Sequence, residues 1–176
     1  MTGSPYRVAV ALGSNMNDRF GLLESGMACI ASLECITIVA MTSVEETVAL
    51  GVPQAPFLNQ MVLLDCCLSL PALLAELQAM EHRHGRERTV PKGPRTLDLD
   101  IVWAKGITVT SRELLVPHPG LLARDFWQRE LSALVGVAEA AEAIEAARIH
   151  AGMDTIRQDH SRHERRWTGG WDAILS

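Results

Sequence analysis

Two aspartates, Asp98 and Asp100, stand two residues apart in PKGPRTLDLDIVWAKG, inside an otherwise apolar run. Side chains of a strand alternate between faces. Asp98, Asp100 and Val102 are therefore expected on one face, and Leu97, Leu99, Ile101 and Trp103 on the other. The apolar set can enter a core while the carboxylates project together, their Cα atoms roughly 7 Å apart. Two anions that close repel unless a cation joins them. Mg²⁺ fits, because it prefers oxygen ligands and is commonly held by one or two carboxylates together with substrate phosphates. Taken alone, such a pair is more often a solvated strand face. The residues just upstream shift the balance: Arg83, Arg86, Arg88, Lys92 and Arg95 crowd a stretch shaped by Pro91, Gly93 and Pro94. Arginine forks match phosphate oxygens, and lysine adds a point charge. Carboxylates beside such cations are the parts of a nucleoside-triphosphate site, here without any GxxxxGK[ST] loop.

The elements that must hold these residues can be read outward from them. Residues 6–12, YRVAVAL, alternate as a strand, with Tyr6, Val8, Val10 and Leu12 on one side. GSNMNDR supplies turn chemistry, and Phe20, Leu23, Met27 and Ile30 recur at three and four, the stripe of a helix. ITIVAMTSV (36–44) is rich in β-branched residues and reads as a second strand. VALGVPQAP (48–56) reads as a loop and FLNQMVLLDCCL (57–68) as a third strand. Ser69 can cap a helix that has Pro71 in its first turn, buries Leu73, Leu77 and Met80, and stops at Gly85. The basic stretch from Arg86 to Thr96 is then a long loop, and LDLDIVWA the fourth strand. The order β-α-β-β-α-β predicts an α+β, ferredoxin-like sandwich, an antiparallel sheet with helices packed on one face. A helix from about Asp125 and an alanine-rich stretch near 137–151 follow. Residues 1–137 are thus expected to form the domain, and 138–176 a C-terminal helical extension.

Composition narrows the function classes. With 48% apolar and 21% charged residues, the 176-residue chain suits one domain with a substantial core. A formal net charge of −5 argues against a general binder of nucleic acid or membrane surfaces. An RNA-binding sheet of the same topology needs an aromatic-rich run on its central strands, and none occurs. Cys29, Cys35, Cys66 and Cys67 show no CxxC spacing, which suits reduced thiols better than a disulfide framework or a zinc site. No stretch approaches the roughly 18 apolar residues of a membrane span, and MTGSPYRVAV lacks the pattern of a secretory leader. A cytoplasmic protein that acts as a monomer on small molecules is the expectation.

The motif GPRTLDLDIV (93–102) resembles the signature of the 6-hydroxymethyl-7,8-dihydropterin pyrophosphokinase family of folate biosynthesis. Four more segments resemble that family in the same order: ALGSN (11–15), FLNQMV (57–62), EHRHGRER (81–88) and VPHPGLLARDF (116–126). The resemblance covers about residues 6–135. It implies transfer of pyrophosphate from ATP to the hydroxymethyl oxygen of the pterin, with release of AMP. It further implies that Asp98 and Asp100 hold two Mg²⁺ ions, that Arg86, Arg88 and Arg95 close over the phosphates with Lys92 nearby, and that Glu81, His118 and Arg124 contact ATP. For the pterin it implies Asn59 as the reading amide and Phe57 and Phe126 as the ring's walls. Thr47 and Leu50 would lie in a loop of backbone contacts. Without the resemblance, His118 ahead of Pro119 is equally a turn residue, while Phe57 and Phe126 can be read as plain core and Glu81 as a solvated helix end. The chain departs from the family at Val48–Ala49, where proline is common. It departs again at Pro91–Lys92, where the family often has a cation and then an aromatic residue or asparagine.

Overall fold

The computed structural model describes residues 4–49, 53–86 and 93–167, with side chains as far as residue 152 in the last stretch. Leu50, Arg88, Pro91 and Lys92 therefore lie outside the described residues, as do the side chains near the C-terminus. Strand β1 (Tyr6–Ser14) runs through the middle of an antiparallel sheet ordered β2-β4-β1-β5. Its neighbours are β4 (Phe57–Cys66) and β5 (Asp98–Ala104), and β2 (Ile36–Met41) forms the edge beyond β4. A short β3 (Glu45–Thr47) also pairs with β4. With helices α1 (Arg19–Ala31) and α2 (Leu70–Arg83) in the connections, this is the ferredoxin-like α+β order that the chain's alternation of elements predicts.

Local chemistry sets the ends of those helices. The Asp18 carboxylate accepts the Gly21 N–H at 3.0 Å and starts α1. Ser69 accepts from Ala72 and Pro71 occupies the first turn of α2, as read. The chain leaves α2 through Gly85 at φ +74°, a conformation a side chain would strain. Leu73, Leu77 and Met80 are buried with Leu23, Ile30, Val8, Val10 and Leu12 in the core between the sheet and these two helices. The α1 stripe differs from expectation at one end, because Phe20 is 51% exposed while Gly26 is buried. A Cβ on Gly26 would meet the Leu97 methyls at 3.1 Å, so the missing side chain is what lets α1 close on the residue that leads into β5.

Two strand readings change, each for a local reason. Ala9 pairs with Trp103 and Val10 with Ile101, which leaves Val102 as an extra residue in β5. Such a bulge turns the following side chain over. Trp103 accordingly joins Val102 on the aspartate face, not Leu97, Leu99 and Ile101 on the other. The expected strand over 36–44 breaks after Met41. There the Thr42 hydroxyl accepts the Met61 N–H at 3.0 Å and donates to Glu130 at 3.0 Å, and Gln60 takes the Thr42 carbonyl at 2.7 Å. The Thr42 N–H still donates to the Met61 carbonyl at 2.9 Å, but the return bond from the Met61 N–H has passed to a side chain.

The sheet is covered on both faces, not one. Helix α3 (Asp125–Val135) and helix α4 (Val137–Trp167) follow a small hairpin of β6 (Val109–Thr110) and β7 (Leu115–Val116) and a 3-10 turn, Pro119–Leu122. Ala140, Ala143 and Ala147 of α4 and Trp127 and Leu131 of α3 bury against Ala9, Ala11, Met61, Leu63, Val102 and Trp103. Small residues on both sides keep this second layer close.

Candidate active site

Past the open end of that second core the same sheet face forms the floor of a cleft of about 440 Å³. Cross-strand register builds it. Gly13 on β1 lies opposite Asn59 on β4 and opposite Asp98 on β5, and one step inward Ala11 lies opposite Met61 and Asp100. Directly opposed residues share a face, so an amide and two carboxylates line one floor with only small residues between them. A Cβ on Gly13 would sit 3.1 Å from the Asn59 side-chain oxygen and 3.6 Å from Phe57. Gly13 keeps that space open. Thr47, Phe57 and Asn59 line the cleft from β3 and β4, Arg95, Asp98 and Asp100 from β5 and the residues leading into it, and His118, Arg124 and Phe126 from the segment that follows. Nine of the residues singled out from the sequence thus meet in one place.

At the Asn59 end the amide nitrogen donates to the Thr47 hydroxyl at 2.7 Å, which fixes which way the amide points. Asn15, 4% exposed, organises the neighbourhood from below. Its amide nitrogen donates to Gln54 at 2.9 Å and to the Ala55 carbonyl at 3.0 Å, and its oxygen accepts the Arg95 N–H at 2.8 Å. One buried side chain therefore ties the loop over 53–56 to the basic segment. The sequence showed GSN only as turn chemistry; a buried role for Asn15 leaves no periodic signal.

At β5, Arg86 and Arg95 are both turned onto Asp98: Arg86 reaches its carboxylate at 2.7 Å, and Arg95 forms a second ion pair with it. Arg86 also pairs with Glu81, whose carboxylate accepts the Leu99 N–H at 2.7 Å. Glu81 is 4% exposed, so it is a buried anchor and not a solvated helix end. For Arg86 and Arg95 the carboxylates already answer the charge. Asp100 is pushed up to about 7, by burial first and by the Asp98 charge next, with Arg124 and Arg95 opposing.

The wall formed by the segment after β5 is stiff. The His118 Nδ1 accepts the Gly120 N–H at 2.8 Å, so the ring's proton sits on Nε2. Burial, and then the Arg124 charge, push His118 down to about 4 and keep it neutral. His118 meets Trp127 edge-on, with ring centroids 5.3 Å apart, and the Arg124 guanidinium lies 4.1 Å from the centre of the Trp127 ring. Trp127 is a cleft residue that sequence reasoning missed; adjacency to Phe126 was its only signal. A second cavity of about 240 Å³ adjoins the first, sharing Asp100, His118 and Pro119, and adds Leu74, Gln78, Glu81, Arg86 and Leu114.

The donor set suits a hard divalent cation. Asp98 and Asp100 offer carboxylate oxygens, and Asp100 is a half-buried acid whose ionised form needs positive charge close by. No group of three or more His, Cys, Asp or Glu side chains suited to a metal occurs among the described residues. Remaining ligands would come from phosphate and water, the usual arrangement for Mg²⁺.

Comparison with known proteins agrees with this geometry. The family model for 7,8-dihydro-6-hydroxymethylpterin-pyrophosphokinase matches residues 9–139. The chain belongs to this family. A pyrophosphokinase of Bacillus subtilis, named for 2-amino-4-hydroxy-6-hydroxymethyldihydropteridine, is 37% identical over 118 residues, covering 66% of this chain and 71% of that protein. Its namesake in Synechocystis is 35% identical over 121 residues, 69% of this chain and 62% of that protein. The folic acid synthesis protein fol1 of Schizosaccharomyces pombe is 33% identical over 126 residues, 71% of this chain but 17% of that longer protein. This pyrophosphokinase is an enzyme of folate synthesis that uses ATP as its co-substrate.

Proposed function

We propose that this chain's residues carry out pyrophosphate transfer from ATP to 6-hydroxymethyl-7,8-dihydropterin in the cleft floored by Ala11 and Gly13. The single observation that carries the assignment of roles is the cross-strand row Asn59, Gly13, Asp98, which sets a ring-reading amide and a metal-binding carboxylate side by side. The pterin lies at the Asn59 end. Asn59, oriented by Thr47, exchanges hydrogen bonds with the ring's amide edge, while Phe57 and Phe126 close on its faces. The triphosphate crosses the middle, and the nucleoside enters the adjoining cavity beside Leu74, Gln78 and Leu114.

Asp98 and Asp100 would hold two Mg²⁺ ions, which when bound neutralise the triphosphate's charge. When phosphate enters, Arg86 and Arg95 exchange Asp98 for phosphate oxygens, and Arg88 and Lys92 join them. The neutral His118 offers its Nε2–H and Arg124 its guanidinium to oxygens that gain charge as the β-phosphorus is attacked. Holding the hydroxymethyl oxygen in line with that phosphorus is the remaining task, and the sheet floor sets the spacing. No protein nucleophile is needed. The chain is read as working alone in the cytoplasm, away from nucleic acid and membranes. Its charge of −5 supports the former, and no helix among the described residues is long and apolar enough to cross a bilayer.

The test is a product assay with ATP, Mg²⁺ and the hydroxymethyl pterin. AMP should appear in step with the pterin diphosphate. ADP as the main pterin-dependent product would rule this chemistry out.

A further inference from the structure

The peptide unit joining Pro117 to His118 is held at both of its polar ends. Its N–H, from His118, donates to the Val102 carbonyl of β5 at 2.8 Å. Its carbonyl, from Pro117, accepts from Nδ1 of His150 on α4 at 3.1 Å. A peptide unit is planar and stiff, so bonds at opposite poles fix its plane. They also fix the direction in which the next Cα, that of His118, carries its ring. The ring then points along the cleft wall with Nδ1 tied to Gly120, and the turn it caps leads directly to Arg124.

His150 is 3% exposed and lies beyond residue 139, where the family match ends. Ala140, Ala143 and Ala147 precede it at helical spacing, all buried on the sheet side of α4. Their small side chains bring the helix close enough for an imidazole to reach the Pro117 carbonyl. The ordinary alternative is that the bond merely satisfies a buried histidine. Two facts favour more: the acceptor belongs to a peptide unit whose other end is already fixed by β5, and the residue it orients faces the cleft.

We infer that His150 is a positioning residue for the nucleotide-facing wall: the helix beyond the family match sets His118 and the turn to Arg124 through one buried hydrogen bond. The inference rests on the reading above that His118 and Arg124 face ATP. It gives the C-terminal segment a task in catalysis that does not require it to touch substrate.

Three full-length proteins test it: wild type, His150→Leu, which keeps bulk and removes the donor, and His150→Asn, whose amide nitrogen can occupy the Nδ1 position. Amide hydrogen exchange is followed over residues 118–124 in the ligand-free protein, alongside steady-state kinetics. In His150→Leu the 118–124 amides should exchange faster by about tenfold, the loss expected for one buried hydrogen bond, while β1 and β4 keep wild-type protection. The KM for ATP should rise several-fold with the pterin KM unchanged, and His150→Asn should recover most of both effects. Wild-type exchange over 118–124 in a folded His150→Leu protein overturns the inference. So does an even loss of protection across the sheet in both variants, which would make His150 a packing residue only. Faster exchange confined to 118–124 with an unmoved ATP KM supports the positioning of His118 and counts against the ATP reading instead. Should His150→Leu not fold, His150→Gln replaces it, because its amide reaches the Nε2 position and should fail to rescue.

Discussion

Asp98 and Asp100 share a face, as alternation requires, yet they do different work before any ligand arrives. Asp98 is paired with Arg86 and Arg95, while Asp100 is half-buried beside a like charge. Asp98→Asn and Asp100→Asn should each fold, since size is kept, and each should lower turnover by on the order of a hundredfold or more. Near-normal turnover of both variants at saturating Mg²⁺ would contradict the carboxylates' metal role. Asp100 also sets a pH effect. Its carboxyl is raised from 3.8 to about 7 in the fold, so between those values the native state holds a proton that the unfolded chain has lost. Stability from this residue therefore falls as pH rises through that window, and the cost is complete above about 7. In EDTA, Asp100→Asn should have a higher Tm than wild type at pH 8 and an equal one at pH 4. An equal difference at both pH values would remove ionisation as the cause.

At the scale of elements, the strands and the two central helices were legible because burial imposed periodicity on them. The bulge at Val102 was not, since nothing in LDLDIVWA marks which residue goes unpaired. Nor was the break at Thr42, where a hydroxyl in an otherwise β-branched run takes over a ladder bond from the partner strand. The site was half legible. Aspartate spacing and the arginine cluster announce it, but Gly13, Asn15 and Trp127 act through register and burial, which one sequence does not display. Gly13 offers the sharpest test at this scale. Gly13→Ala puts a methyl 3.1 Å from the Asn59 oxygen, so the amide must shift while strand pairing survives. The KM for the pterin should rise by about tenfold, a modest overpacking cost, with the ATP KM within twofold. A change in the ATP KM alone would place the pterin elsewhere.

For the whole molecule, the second helical layer is the main departure from the sequence picture. Helices were expected on one face, and the alanine-rich stretch was set apart as an extension. Alanine gives a helix signal without revealing which face is buried, and here the buried stripe is made of alanines. Ala147 is fully buried within that layer. Ala147→Glu should lower stability by about 3 kcal/mol or more in denaturant unfolding, because it forces a long, charged side chain into a buried layer of small apolar residues. A loss under about 0.5 kcal/mol, typical of surface changes, would mean that α4 is loosely attached.

The row Asn59, Gly13, Asp98 also behaves as a ruler. Neighbouring strands lie about 4.8 Å apart, so two intervals separate the two ends of the row by roughly 10 Å. That length is written into backbone hydrogen bonding and not into any side chain. Side-chain substitutions can blunt either end but leave the gauge unchanged. A slip of β1 by one residue would instead turn Gly13 to the opposite face and put the side chain of Leu12 or Ser14 on the floor between the two ends. Misregistered chains should therefore contribute no partial activity. Specific activity then becomes a direct count of correctly zipped molecules, and refolding followed by turnover should track the pairing of β1 with β4 and β5.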